Sequence, residues 1–195
     1  ELLASLGVHQ PIALAGLSFG GNVITSFADS FPARVGSLIY ADPGFVRPGH
    51  PPYRVRSSLV WNFSMVFRGG TDAMATGQLT DFLHPERHPD WVGRYRVQQQ
   101  FRGTRAALRA AQLANAASPD PHEQIRRVGA GRPVLIIWGR QDQTVPFRFS
   151  DSLRALIPTA EFVPVDSSGH LPHIERPDVV VPAVIGFLRG AAEKR

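Results

Sequence analysis

Hydrophobic and polar residues follow two different periods along this chain, and the change between them divides it into three parts. Four short, nearly continuous apolar runs are typical of strands covered on both faces in a parallel sheet. These runs lie at 11–15, 35–40, 132–139 and 160–165. Amphipathic stretches that predict helices lie at 22–30, 146–157 and 177–189. The order strand, helix, strand over residues 11–40 predicts a right-handed parallel βαβ unit.

The strand pattern disappears in the middle of the chain, and helical periodicity replaces it. A linker is predicted at its start by Pro48, Gly49, Pro51 and Pro52. Helices are predicted at 56–67, 71–83, 90–117 and just after Pro121. In the first of them, apolar residues recur on one face, namely Leu59, Phe63, Val66 and Phe67. We therefore predict an α/β core at 1–45 and 132–195, interrupted by a helical cap or lid at 46–131.

Composition removes several classes of function. The chain has 195 residues and no cysteine, which excludes disulfides and cysteine-bound metals. No apolar run approaches the roughly 18 residues of a membrane span. The net charge of +5 comes from arginines spread along the chain, with Lys194 as the only lysine, so a solvated surface is favoured over nucleic-acid binding. Because Glu1 stands inside a predicted helix, we expect a fragment without its N-terminal segment and any targeting signal, with a cytoplasmic location favoured.

The turn after the first apolar run contains the pattern Gly-x-Ser-x-Gly, at Gly16, Ser18 and Gly20, followed by Gly21. A strand, a turn and a helix in this order are the context of a nucleophile elbow, which exposes the Ser Oγ at the strand end. Small residues around the Ser let the strand and the helix pass closely, and the helix start brings free N–H groups near the oxygen. The pattern alone also occurs by chance, so the rest of the chain must decide its meaning.

A nucleophilic Ser needs a base, and the base needs an acid that fixes its tautomer. Asp142 follows the third apolar run and His170 follows the fourth, on loops where parallel sheets place ligands. The order Ser18, Asp142, His170 is the order of a triad led by a nucleophile elbow. Asp42 also follows a strand and is the alternative acid, but its flanking residues and its spacing to His170 favour Asp142.

Other histidines have simpler interpretations. His173 is interpreted as a helix-capping or lid-facing residue. His84 and His88 have metal-like spacing but no clear third ligand, so neither a metal site nor a cofactor is predicted.

Three blocks of the sequence resemble the signatures of the α/β-hydrolase superfamily, in its lid-bearing serine esterase and lipase branch. They are Gly16-Leu-Ser18-Phe-Gly20-Gly, Trp138-Gly-Arg-Gln-Asp142-Gln-Thr-Val-Pro146 and Gly169-His170-Leu-Pro-His-Ile-Glu-Arg-Pro177. The resemblance covers residues 1–190 and places the insertion where the family has its cap. It implies an α/β-hydrolase fold, a mostly parallel sheet flanked by helices, whose N-terminal strands and second oxyanion donor are absent from this chain.

The resemblance also implies roles: Ser18 as nucleophile, His170 as general base and then acid, Asp142 as its orienting carboxylate, and the Phe19 N–H as an oxyanion donor. We expect a serine hydrolase that cleaves carboxylic esters through an acyl-enzyme. A Ser at the elbow argues against haloalkane dehalogenases and epoxide hydrolases. The same triad would also serve a C–C bond hydrolase, lactonase, thioesterase or perhydrolase, or a ligand-binding protein with slow turnover.

A small apolar ester is the expected substrate. Most large apolar residues of the insertion are expected to pack it, while a few line an apolar pocket. The candidate pocket residues are Trp61, Phe63, Phe67 and Leu171. The oligomeric state stays open.

Overall fold

The computed structural model describes residues 2–45, 53–116 and 121–193. These residues belong to two compact units, residues 1–45 with 121–195 and residues 46–120. The predicted linker residues Pro48, Gly49, Pro51 and Pro52 lie outside the described residues, as do Glu1 and Ala117 at the ends of two predicted helices. Among the helices that the structure describes, none combines the length and the apolar character that a membrane span requires.

The first unit is built on a four-stranded parallel sheet in the order β1, β2, β3, β4. The strands are β1 (Ile12–Leu17), β2 (Val35–Ala41), β3 (Val134–Gly139) and β4 (Glu161–Val165). Each strand corresponds to one of the four apolar runs. The predicted α/β fold with a parallel sheet flanked by helices is therefore confirmed.

An additional short helix lies at 53–56, and the α-helix predicted over 71–83 ends at Gly77; otherwise the helices follow the predicted periodicity, with two more differences. In chain order they are α1 (Leu2–Ser5), α2 (Phe19–Ser30), α3 (Tyr53–Arg56), α4 (Ser58–Phe67), α5 (Gly70–Gly77), α6 (Trp91–Gln99), α7 (Thr104–Ala116), α8 (Pro121–Gly129), α9 (Phe149–Leu156), α10 (Pro172–Glu175) and α11 (Pro177–Glu193). The segment predicted as one helix over 90–117 is two helices, because Gly103 adopts a φ of 92° between α6 and α7. The short helix α10 was not predicted.

Both faces of the sheet are covered, which is why its strands are so apolar. Every residue of β3 is buried. Trp138 of β3 joins the core on one face together with Ile125 of α8, and Ile137 joins the core on the other face with Phe187 of α11. Because α8 packs into this core, the second compact unit ends at residue 120, whereas the predicted insertion extends to residue 131.

The register of the sheet brings the carboxyl ends of its strands to one edge. Leu17 is paired with Ala41, and Ala41 with Ile137. Gly139 at the end of β3 is paired with Val165 at the end of β4. The segments that leave this edge contain Ser18, Asp42, Asp142 and His170.

The second unit has a small core of its own. Val55, Trp61 and Met65 are buried in it, with Met74 and Leu108 packed against them. The four residues whose spacing predicted the helix at α4 lie on its exposed side, namely Leu59, Phe63, Val66 and Phe67. Helix α4 is apolar on two faces, so the pattern alone does not select the face that packs.

Candidate active site

Ser18 has the backbone conformation of a strained elbow. Its φ of 51° and ψ of −121° lie in a region that non-glycine residues rarely adopt. A Cβ on Gly16 would collide with the backbone carbonyl of Gly20, so strand β1 and helix α2 meet with no room for a side chain at that point. At Gly20 itself an added Cβ would meet nothing within 4 Å among the described residues. Only the first of these two glycines is therefore sterically required.

The turn after β2 holds Ser18 in this conformation. The Ser18 N–H donates to the Ala41 carbonyl at 3.0 Å, and the Gly44 N–H donates to the Ser18 carbonyl at 3.1 Å. Asn22 on α2 donates from Nδ2 to the Gly44 carbonyl at 2.6 Å. We call Ala41–Gly44 the elbow clamp, because its contacts stabilise both sides of the strained residue.

Phe19 is the first residue of α2. A helix provides no internal acceptor for the N–H groups of its first turn, and these groups form the positive end of the helix dipole. The Phe19 N–H, next to Ser18, is therefore suited to donate a hydrogen bond to a negatively charged oxygen of a group bonded to Ser18.

His170 and Asp142 form a buried hydrogen-bonded pair. Nδ1 of His170 lies 2.7 Å from Oδ2 of Asp142, and the side chains are 3% and 0% exposed. The other oxygen, Oδ1 of Asp142, accepts the N–H groups of Thr144 at 2.8 Å and Val145 at 2.9 Å. A carboxylate in this position fixes the imidazole proton on Nδ1 and leaves Nε2 as an acceptor.

Ser18 and this pair belong to the same edge of the sheet. A Cβ built on Gly44 would lie 3.8 Å from Oγ of Ser18 and 3.6 Å from Cγ2 of Val145. Val145 in turn donates its N–H to Asp142. Gly44 therefore lies close to both the elbow and the loop that carries the acid.

The loop that carries His170 is held by two side chains that sequence reasoning missed. Oε2 of Glu175 accepts the Gly169 N–H at 2.6 Å, and Oε1 of Gln141 accepts the Ser168 N–H at 3.1 Å. Both residues stand inside the two signature blocks, at Gln141 directly before Asp142 and at Glu175 in the block of His170. Their position in those blocks was the available signal.

Asp42, the alternative acid, is fully buried beside this pair. Its Oδ1 accepts the Gly139 N–H at 2.8 Å. One oxygen of Asp42, one oxygen of Asp142 and one ring nitrogen of His170 all lie within 4.8 Å of one another. Burial, reinforced by the neighbouring charge of Asp142, raises the pKa of the Asp42 carboxyl far above its ordinary range. Of the two candidate acids, the one hydrogen-bonded to the imidazole is Asp142.

The three other histidines considered in the sequence, His173, His84 and His88, have separate surroundings. Burial, with a smaller effect of His170, lowers the pKa of His173 on α10. Nδ1 of His84 lies 3.2 Å from a carboxylate oxygen of Glu86. The ring of His88 stacks on Phe82 with 4.2 Å between centroids.

The four candidate pocket residues are placed differently from one another. Trp61 is 2% exposed in the core of the second unit and donates from Nε1 to the Arg105 carbonyl, which favours packing over pocket lining. Phe63 and Phe67 are exposed, and their rings contact each other with centroids 5.4 Å apart. Leu171, in the first unit, is buried directly after His170.

Lipases stand among the known proteins with similar sequences. Residues 1–183 match a family model described as the alpha/beta hydrolase family. Lipase 1 of Psychrobacter immobilis is 25% identical over 182 residues, which are 91% of this chain and 56% of the lipase. Lipase 3 of Moraxella sp. is 21% identical over 178 residues, with 90% of this chain and 55% of the lipase covered. The chain thus spans little more than half the length of these two lipases.

Solved structures lead to the same family. A thermophilic esterase from Thermogutta terrifontis superimposes with a TM-score of 0.79 at 27% identity, over 97% of this chain and 69% of the esterase. A meta-cleavage product hydrolase from Pseudomonas fluorescens superimposes with a TM-score of 0.72 at 20% identity, over 97% of this chain and 68% of that hydrolase. With residues 1–183 matched by a single family model and its fold shared with these enzymes, the chain belongs to the alpha/beta hydrolase family, whose members are generally hydrolytic enzymes.

Proposed function

We propose that this chain carries the catalytic residues of a serine hydrolase that cleaves carboxylic esters through an acyl-enzyme. The observation that supports this most directly is the buried 2.7 Å hydrogen bond between His170 and Asp142, at the sheet edge where Ser18 is strained. With its proton on Nδ1, the imidazole has a basic Nε2 available for the Ser hydroxyl. A hydroxyl that loses its proton to such a base is a nucleophile at neutral pH.

The reaction then has two halves. In the first, Oγ of Ser18 attacks the ester carbonyl, His170 takes the hydroxyl proton at Nε2, and the Phe19 N–H stabilises the oxyanion. The imidazolium gives this proton to the leaving alcohol as the C–O bond breaks, which leaves an acyl group on Ser18. In the second half, His170 deprotonates water, whose oxygen attacks the acyl group. The bond from the acyl carbon to Oγ of Ser18 then breaks, His170 returns the proton to Oγ, and the carboxylic acid is released. Asp142 stays ionised throughout and stabilises the imidazolium.

A small apolar ester is the substrate class that we propose. Lipases and an esterase stand among the similar proteins, and Leu171 presents a buried apolar side chain next to the base. A second oxyanion donor is expected elsewhere in the protein, because removal of one donor from such a site costs about 10²–10³ in rate.

The test is covalent labelling with a fluorophosphonate, followed by turnover of p-nitrophenyl esters of increasing acyl length, both on the full-length protein. We expect a single adduct on Ser18, located by mass spectrometry of peptides, and turnover that is abolished by labelling. Ser18→Ala is the control that should neither react nor turn over. Absence of both the adduct and ester turnover in the unsubstituted protein would refute the proposal.

A second candidate is cleavage of a C–C bond, because the fold is shared with a meta-cleavage product hydrolase. The same three residues would serve this reaction. A meta-cleavage product offered beside the esters separates the two candidates, and faster turnover of that compound would favour the C–C hydrolase.

A further inference from the structure

Asp42 has a buried carboxyl group to which the proposed reaction assigns no role. The residue is 0% exposed, and its Oδ1 accepts the Gly139 N–H. Its Oδ2 is also inaccessible to solvent and has no hydrogen-bond partner among the described residues. A buried carboxylate oxygen that accepts no hydrogen bond is energetically unfavourable. A proton on that oxygen, donated to a nearby acceptor, removes this penalty.

The neighbouring charges decide where this proton resides. Oxygens of Asp42 and Asp142 lie within 4.8 Å of each other, and two carboxylates this close and out of water do not both ionise. Asp142 receives hydrogen bonds from two backbone N–H groups and faces His170, whereas Asp42 receives one. The negative charge is therefore stabilised on Asp142. Glu175, whose charge also disfavours ionisation of Asp42, points in the same direction.

We propose that Asp42 is a positioning residue whose protonated carboxyl donates a hydrogen bond from Oδ2 to the Asp142 carboxylate and holds it against Nδ1 of His170. The catalytic consequence rests on the proposed serine hydrolase function. Asp42 also belongs to the elbow clamp, so one residue connects the support of Ser18 with the support of the base. Burial and the Asp142 charge, which raise the pKa of Asp42, agree with this geometry.

Two substitutions separate the side chain from the backbone at this position. Asp42 has a φ of 42°, which Asn and Gly accept more readily than other residues. Asp42→Asn keeps an oxygen for Gly139 and offers an NH₂ donor to Asp142, while Asp42→Gly removes both. We expect D42G to lower kcat/KM by about 10- to 100-fold, the effect of losing one hydrogen bond to a charged group. D42N should restore activity to within about threefold of the unsubstituted protein, because it reproduces the donor.

A second measurement does not depend on activity. If folded Asp42 keeps its proton while the unfolded residue loses it near its ordinary value of about 3.9, unfolding releases one proton. Release of this proton makes the equilibrium constant for unfolding rise about tenfold per pH unit between about pH 5 and 8. The free energy of unfolding therefore falls as the pH rises. D42N cannot release this proton. A plot of the logarithm of its unfolding constant against pH should therefore have a slope that corresponds to one released proton fewer. Asp151→Asn, the same change at a side chain that is 75% exposed, should leave the slope unchanged.

The outcomes are distinguishable. The assignment of the proton to Asp42 would be overturned if D42N lowered kcat/KM as much as D42G does. It would also be overturned if the free energy of unfolding depended on pH equally in D42N and in the unsubstituted protein. A loss of about 10⁴-fold in D42N would instead make Asp42 the ionised acid of the triad and would also overturn it. If Ser18 is not labelled by the fluorophosphonate and no ester is turned over, the proposed function fails, while the dependence of stability on pH still decides the protonation of Asp42.

Discussion

Replacement of Asp142 by Asn should move the imidazole proton of His170 from Nδ1 to Nε2. Oδ1 accepts two backbone N–H groups, from Thr144 and Val145, and Oδ2 faces Nδ1 of His170 at 2.7 Å. An NH₂ group in place of Oδ1 would oppose two donors, so the amide oxygen must stay there and the NH₂ must face His170. The imidazole would then accept at Nδ1 and carry its proton on Nε2, the atom that the mechanism requires as a base.

The magnitude follows from this change of tautomer. We expect D142N to lower kcat by about 10⁴, equivalent to about 5.4 kcal/mol of transition-state stabilisation. The backbone hydrogen bonds to the amide oxygen are retained, so the thermal unfolding midpoint should change little. The assay is the steady-state hydrolysis of a p-nitrophenyl ester, with D151N as the matched control for removal of a carboxylate on the surface.

One result would refute this reasoning. Suppose that D142N kept kcat within about tenfold of the unsubstituted protein, while D42N lowered kcat by about 10⁴. The acid of the triad would then be Asp42, and the 2.7 Å contact between His170 and Asp142 would not contribute to catalysis. Loss of activity together with loss of folded structure in D142N would contradict the expected conservation of the hydrogen bonds at Oδ1.

Substitutions at three further positions test the supports of the site. Gly16→Ala should destabilise the fold by about 1–3 kcal/mol, because its Cβ would collide with the Gly20 carbonyl, whereas Gly20→Ala, which meets open space, should be neutral or slightly stabilising in chemical denaturation. Glu175→Ala removes the acceptor of the Gly169 N–H and should lower kcat more than it raises KM, by about the tenfold or more that loss of one charged hydrogen bond implies. Glu175→Gln should recover part of that loss, and equal effects of the two changes would contradict a positioning role.

The parts of the fold that the sequence predicts correctly are those whose structure depends on one strong local pattern of residues. A strand covered on both faces has to be apolar along its whole length, so β3 was visible as a continuous run. Asp142 and His170 could be selected because each follows such a strand, and the carboxyl ends of parallel strands meet at one edge of the sheet. The hydrogen bond between them agrees with that placement.

What sequence missed depends on contacts between segments far apart in the chain. The sequence indicates Asp42 only as a rival acid, because its buried position after β2 depends on the Gly139 N–H of β3 that it binds. The exposed face of α4 was indistinguishable from its packed face, because Phe63 and Trp61 are equally apolar and only the tertiary arrangement selects Trp61. The division of 90–117 into two helices depends on one residue, Gly103, which a pattern of apolar spacing does not register.

The elbow clamp has a consequence for protein engineering. The pentapeptide around Ser18 does not maintain its own geometry, since Ser18 is hydrogen-bonded to Ala41 and Gly44, and Gly44 is in turn held by Asn22. A designer who grafts only Gly16–Gly20 onto another scaffold would transfer the nucleophile without the restraint that exposes it. The unit to transplant is the pair of adjacent strands β1 and β2 with both of their outgoing turns and the first turns of α2, which contain Asn22.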